Sequence, residues 1–290
     1  MQVPYAYGDT LAISERVQWR VEDIIGGERE LDFGRHFLPD ALVEAQALDF
    51  LSPEEKRALN QIRGHSYLAM FGLVEEFILP FVLDHARGRL DADDLEVRAL
   101  LQFAGEEAKH IHLFRTFMSE FRRGFGHECD VIGPASELAE AVLSHDQLGV
   151  ALAILHIEWM TQRHYVESAK DDRTIDPQFE SLLRHHWMEE AQHAKLDTLI
   201  VAEIAARCTP REIRTGIEHY RAIGQILADG LRQQVQLDVE AFQSATGREL
   251  SSAEKQRFVE TQTRSYDRTF LESGATHPNF VRTLSTLERM

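Results

Sequence analysis

The sequence predicts an all-α protein built on a four-helix core. Two observations carry this. Long stretches nearly free of proline lie between Pro53, Pro134, Pro177, Pro210 and Pro278. Within them apolar residues recur every three to four positions, and no run of alternating β-branched residues competes with that period.

Helices are expected at about 11–22, 40–50, 54–87, 92–124, 135–170, 175–207, 210–246 and 251–273. Ser52-Pro53-Glu54-Glu55 and Thr209-Pro210-Arg211-Glu212 each offer an N-cap, a proline at N1 and an acid at N3. Asp91, Asp93, Asp94 and Asp176 put acids at helix starts, where the macrodipole favours them. Pro80 interrupts the backbone bonding of its helix and either kinks it or is tolerated. The segment 1–53 is mixed, with Gly26, Gly27 and Gly34 marking loops. No glycine- or serine-rich linker divides the chain, so one all-α domain over 1–290 is expected. Its bundle core spans about 54–207, with extra helices at 1–53 and 208–290.

Composition narrows the function. The 290 residues are 43% hydrophobic and 27% charged, which excludes a disordered chain. A net charge of −17 argues against nucleic acid or an anionic membrane as partner. No segment approaches the roughly 20 apolar residues of a membrane span, and the N-terminus lacks the pattern of a secretory signal. The two cysteines, Cys129 and Cys208, are too few for a disulfide framework and fit a reducing cytoplasm. Histidine is concentrated: nine of fourteen lie from His110 to His193.

Within that window one pattern occurs twice, as Glu106-Glu107-Ala108-Lys109-His110 and Glu189-Glu190-Ala191-Gln192-His193. Residues three apart on a helix share a side, so Glu107/His110 and Glu190/His193 can each aim a carboxylate and an imidazole at one point. The face of Glu107 also carries Leu100, Phe103, Ile111, Phe114 and Met118. A carboxylate on such a stripe costs several kcal/mol unless it is paired or binds metal. Glu75 precedes Glu107 by the same interval as Glu158 precedes Glu190, and polar turns lie midway. Each pair therefore sits at one height across a helical hairpin. Glu76 competes with Glu75, but Glu75 shares its stripe with Leu68, Phe71, Ile78 and Val82. His186 lies on the Glu190 stripe, adding a third histidine. Glu106 and Glu189 are placed to orient the other motif's histidine, and Asp197, one turn beyond His193, is a further candidate orienter.

Glutamates from four helices with two E-x-x-H pairs match the di-iron or di-manganese carboxylate site of ferritin-like bundles. Hard carboxylates with a few imidazoles suit iron or manganese. Two divalent ions would balance four carboxylates in a dry interior.

The set Glu75, Glu107/His110, Glu158 and His186/Glu190/His193 resembles the ferritin-like di-iron oxygenases of the arylamine N-oxygenase type, the p-aminobenzoate N-oxygenase family. The resemblance covers about residues 60–205. It implies two iron ions, or manganese in their place, O₂ activation, a small-molecule substrate such as an aromatic amine, and an external electron donor. It implies that the extra histidine, His186, tunes the reactivity of the centre. Other di-iron oxidations, of acyl chains or aldehydes, and a non-catalytic bundle for metal storage remain as alternatives; acyl oxygenation would require a long apolar tunnel. Phe71, Phe103, Phe114, Ile154, Thr161 and Tyr165 are candidates to line a cavity. Phe242, Phe258, Tyr266 and Phe270 are placed to pack on the bundle or form a dimer face, and a cytoplasmic homodimer is expected.

Overall fold

The computed structural model describes residues 3–27, 29–91 and 94–290. Among them there is no strand, only two isolated bridges, Gly26 to Arg29 and His36 to Ile175. The Asp93 helix-start expectation lies outside the described residues.

Four long helices form the bundle: α3 (Pro53–Arg87), α4 (Asp94–Phe125), α6 (Gln147–His164) and α7 (Pro177–Ala206). The first two and the last two pack as hairpins. Around them lie α1 (Tyr7–Ser14), α2 (Val21–Ile24), α5 (Ala135–Leu143), α8 (Pro210–Thr246), α9 (Ser252–Tyr266), α10 (Ser273–Ala275) and α11 (Pro278–Leu287). The capping boxes at Ser52 and Thr209 form as their sequences predict, and Asp176 caps α7 through the Phe179 amide. α3 runs unbroken through Pro80.

The expected helix boundaries need correction where local chemistry breaks a period. The 11–22 helix is two short ones, α1 and α2. The 40–50 helix is two 3₁₀ turns, Asp40–Leu42 and Ala45–Ala47, separated at Glu44, whose φ of 57° is left-handed. The 135–170 helix divides because Asp146 caps a fresh start through the Leu148 amide, and it ends in a π turn, Tyr165–Ala169. The 251–273 helix likewise passes into a π turn, Asp267–Glu272. α11, started by Pro278 at N1 behind a His277 cap, was not anticipated.

α3 is buried on every side from Leu59 to Phe71, because α4, α5 and α8 all pack on it. That burial explains a correction to the membrane expectation. α3 contains an 18-residue window of mean hydropathy 1.6, long and apolar enough to cross a bilayer, yet most of that window is inside the bundle. A central core helix meets the same criterion as a span.

α8 closes the bundle against α6 at a pair of glycines. A Cβ on Gly149 would lie 2.6 Å from the His219 Cβ, and one on Gly216 would lie 2.8 Å from the Leu148 Cβ. The same helix joins α3 and α9 through a buried polar knot. Arg63 donates to Gln262 at 2.8 Å and lies 3.4 Å from the Tyr266 ring centroid. Asp238 accepts from Ser66 and Tyr266, both at 2.6 Å. Phe242 and Phe258 pack on each other in the core, their rings 5.2 Å apart.

Candidate metal centre

Seven side chains from four helices converge in the bundle interior. α3 supplies Glu75, α4 supplies Glu107 and His110, α6 supplies Glu158, and α7 supplies His186, Glu190 and His193. None is more than 3% exposed. Glu76 instead turns outward to Arg115 at 2.9 Å.

The donor atoms form two overlapping groups, Glu75/His110/His186/Glu190 and Glu107/His110/Glu190/His193. Glu190 Oε1 lies 3.2 Å from His110 Nδ1, His186 Nε2 and His193 Nδ1 alike. Glu75 Oε1 lies 3.3 Å from His186 Nε2 and 3.5 Å from His110 Nδ1. His186 therefore gathers with Glu75 and His110, at the opposite end of the cluster from Glu107 and His193. Glu158 stands outside both groups and joins through a hydrogen bond with Glu190.

The two histidines of the repeated motif are turned by the opposite motif. Glu189 Oε2 holds His110 Nε2 at 2.9 Å, and Glu106 Oε2 holds His193 Nε2 at 2.9 Å. Each ring thereby presents Nδ1 to the centre. Asp197 is buried beside the cluster, but among the described residues neither of its oxygens has a hydrogen-bond partner, and His193 Nε2 is already taken by Glu106. The orienting contact expected of Asp197 is absent.

Whether these residues suit a metal pair is tested by what they leave unmet. Among the described residues, Glu75 Oε2, both Glu107 oxygens, Glu158 Oε2, Glu190 Oε1 and the Nδ1 atoms of His110 and His193 are buried without a well-aligned hydrogen bond, although His193 Nδ1 lies 2.8 Å from Glu107 Oε1. So many orphaned polar atoms in one place would cost several kcal/mol, and cations at their focus would satisfy them together. The residues fit the group.

The electrostatics show the same tension. Burial, then repulsion from Glu75, pushes the Glu107 carboxyl well above the usual range. Burial and Glu190 do the same to Glu158. Glu190 goes the other way: burial would raise it, but His186, the Glu158 hydrogen bond and His193 hold it well below. His110 and His193 are raised against the pull of burial, chiefly by Glu75 and Glu190 respectively. Without metal, protons supply the positive charge that these carboxylates need.

The contributions of Ser14, Gln102 and Trp19 carried no sequence signal. Ser14 of α1 and Gln102 donate to Glu106 Oε1. Lys109 pairs with Glu189 and lies 4.0 Å above the Trp19 ring, which stacks on His110 at 6.0 Å. Phe103 covers His193 at 4.1 Å, while Phe71 and Phe114 meet His186 edge-on. Ile154 is plain core.

Beside His186 lies a narrow cavity whose lining includes Tyr67, Thr161, His164, Tyr165 and Trp187. A wider surface cleft bearing Arg163 and Arg268 adjoins it, Leu42 and His164 lining both. A separate pocket lined by apolar residues, with a volume of about 50 Å³, lies between Met70, Leu73, Ile132, Leu231 and their neighbours, and touches Phe71.

A helical bundle that aims glutamates from four helices and a set of histidines at one dry centre has the architecture of ferritin-like carboxylate metalloproteins. The chain belongs to the family described as p-aminobenzoate N-oxygenase AurF, whose model matches residues 16–273. That match reaches well beyond the motif-bearing core and takes in Trp19 and most of the C-terminal helices. The chain is accordingly an oxygenase, a metal-dependent oxidoreductase that uses O₂, a substrate and electrons from a donor outside the chain.

Solved structures similar to it are R2-like ligand-binding oxidases. One with a Mn/Fe cofactor is 14% identical at a TM-score of 0.50, covering 93% of each chain. Another with Mn/Fe is 16% identical at 0.46, over 92% of this chain and 93% of that one. One with Fe/Fe is 15% identical at 0.45, with the same coverage. At these identities the likeness is one of fold. A comparison with curated proteins finds no match.

Proposed function

We propose that the protein N-oxygenates a small aromatic amine at a dinuclear iron centre, or a manganese-containing one, held by Glu75, Glu107, His110, Glu158, His186, Glu190 and His193. The observation that carries this is the convergence of buried, unpartnered carboxylate and imidazole atoms in a chain of the N-oxygenase family. The first oxygenation balances as R–NH₂ + O₂ + 2e⁻ + 2H⁺ → R–NHOH + H₂O, and further rounds lead toward the nitro level. When bound, the metal pair supplies the redox chemistry for reducing O₂. The chain does the rest. Glu106 and Glu189 fix which imidazole nitrogen faces the centre. Phe71, Phe103 and Phe114 keep water from the histidines. The narrow cavity beside His186, which shares Leu42 and His164 with a surface cleft, marks the side from which substrate would approach.

Purified protein should contain about two iron or manganese ions per chain and convert p-aminobenzoate or a related arylamine, with O₂ and reductant, to an N-oxidised product. Glu107→Ala should lose most of the metal. Metal content unchanged in that variant would remove the centre from these residues.

A second reading has one observation behind it. The apolar pocket that reaches Phe71 would suit an alkyl chain. Against it, that pocket offers no polar group to hold an acyl head. A fatty acid retained through purification would favour this reading.

We further propose one domain over 1–290, acting in the cytoplasm as a homodimer, with neither nucleic acid nor membrane as partner. The acidic balance, the two free cysteines and the exposed Leu83 and Leu90 support this.

A further inference from the structure

α8 carries a glycine, Gly230, near the middle of its 37 residues, where a missing side chain weakens a helix. Gly230 lines the apolar pocket between Met70, Leu73, Ile132 and Leu231. A Cβ there would come 3.0 Å from the Ile132 Cδ1, another part of the pocket wall, so the glycine keeps this space open. Among the described residues no polar side chain lines it. A buried water needs about two to four polar partners, so the pocket stays dry. Its volume of about 50 Å³ exceeds the roughly 10–15 Å³ that one water-sized occupant requires. A diatomic molecule fits.

Burial grades along the pocket from the surface inward. Its rim, Ile226, Leu227 and Leu271, is half-buried, and Leu227 and Leu271 also wall a surface cleft of about 490 Å³. Its inner wall, Met70, Phe71, Ile157 and Met160, is buried. Phe71 belongs both to this wall and to the surroundings of the metal centre, since its ring meets that of His186 edge-on at 5.3 Å. Val74 and Ile157, also in the lining, directly precede the candidate ligands Glu75 and Glu158. The narrow cavity beside His186 shares no lining residue with this pocket.

We propose that this pocket takes up dioxygen and passes it to the metal centre beside Phe71, apart from the side on which substrate approaches. The ligand class is a small apolar gas. O₂ has no charge, no dipole and no hydrogen-bonding proton, so it enters a dry apolar space without a desolvation penalty. Water and charged molecules pay that penalty and are held back. A separate entry also lets substrate occupy its own cavity without barring O₂. The assignment rests on the reading of the centre as O₂-using and is indifferent to which amine is oxidised.

Xenon, an apolar atom that binds in dry cavities, is the probe. Crystals of the metal-loaded protein under xenon pressure should show the gas between Met70, Leu73 and Leu231. Gly230→Val, which fills the pocket from α8, should abolish that site. Leu227→Trp narrows the mouth from its half-buried rim and adds no bulk to the inner wall. In stopped-flow mixing of the reduced, iron-loaded protein with O₂, both variants should slow the O₂-dependent rate severalfold. Their metal content, and their affinity for p-aminobenzoate measured without O₂, should match the wild type, because neither residue belongs to the donor cluster or to the cavity beside His186.

A wild-type pocket that takes up no xenon, or an O₂ rate that neither variant slows, overturns the inference. So does a rate that falls only together with metal content, since the variants would then be acting on the centre itself. In each of these cases the oxygenase reading stands as long as the iron-loaded wild type consumes O₂. A wild type that holds iron and never consumes O₂ removes both.

Discussion

Glu106 and Glu189 act on the centre without pointing into it. Each is the residue before a candidate metal ligand, and on a helix the neighbour faces about a quarter-turn away, toward the adjoining helix. The two motifs sit face to face across the bundle, so each carries the brace for the other's histidine. Lys109 and Ser14 secure the outer oxygens of those braces. Removing one brace frees an imidazole to rotate and lowers its basicity. Glu189→Ala should therefore weaken metal binding about 10–100-fold while leaving the helical content unchanged. Competition against a chelator of known affinity measures this. An affinity unchanged from wild type would mean that packing by Trp19 alone sets the ring.

At the scale of helices, Glu203 fastens α7 to the α3–α4 turn. Its carboxylate accepts from Tyr7 at 2.6 Å and from Arg89 at 2.7 Å, and His85 lies 3.7 Å away. Burial alone would raise its pKa, but His85, Tyr7 and Arg89 outweigh burial and hold it at about 2. A carboxyl depressed in the folded state stabilises fully above its unfolded pKa of about 4.5, and that contribution vanishes as pH falls through about 2. Its worth, discounted for partial exposure, is on the order of 1–3 kcal/mol. Denaturant unfolding between pH 5 and 2.5 should show wild type losing stability more steeply than Glu203→Gln. Parallel slopes would contradict the clamp.

Glu203 also marks what the sequence conveys. The long helices are legible because each has a chemical start and an uninterrupted period, as in Ser52 to Glu55 and Thr209 to Glu212. The site residues are legible because charge on an apolar stripe demands a partner. The clamp is not, since Tyr7, Arg89 and Glu203 are far apart in the chain and share no spacing. Trp19 and Ser14 were missed for the same reason. They lie on or beside short elements whose own sequence gives no sign of a contact with the centre, and only the tertiary fold carries them to His110 and Glu106.

For the molecule as a whole, the centre is a joint between two hairpins. α3 with α4 supplies Glu75, Glu107 and His110; α6 with α7 supplies Glu158, His186, Glu190 and His193. Neither hairpin holds a complete donor set, and both groups of convergent atoms draw on α4 or α3 together with α7. A metal pair that binds only when the hairpins are docked must stabilise the docked state, by RT ln(1 + [M]/Kd) for each site. At free metal a hundredfold above Kd, one site contributes about 2.7 kcal/mol. For a chain of this length that corresponds to a rise in Tm of roughly 4–5 °C per site. Chelation should reverse the rise, and re-addition of Fe²⁺ or Mn²⁺ should restore it. Glu107→Ala should show little of either effect, because it removes two of the orphaned oxygens on the α4 side. If Tm were indifferent to metal in the wild type, the hairpins would be held by their apolar faces alone, and the cluster would contribute nothing to the assembly of the bundle.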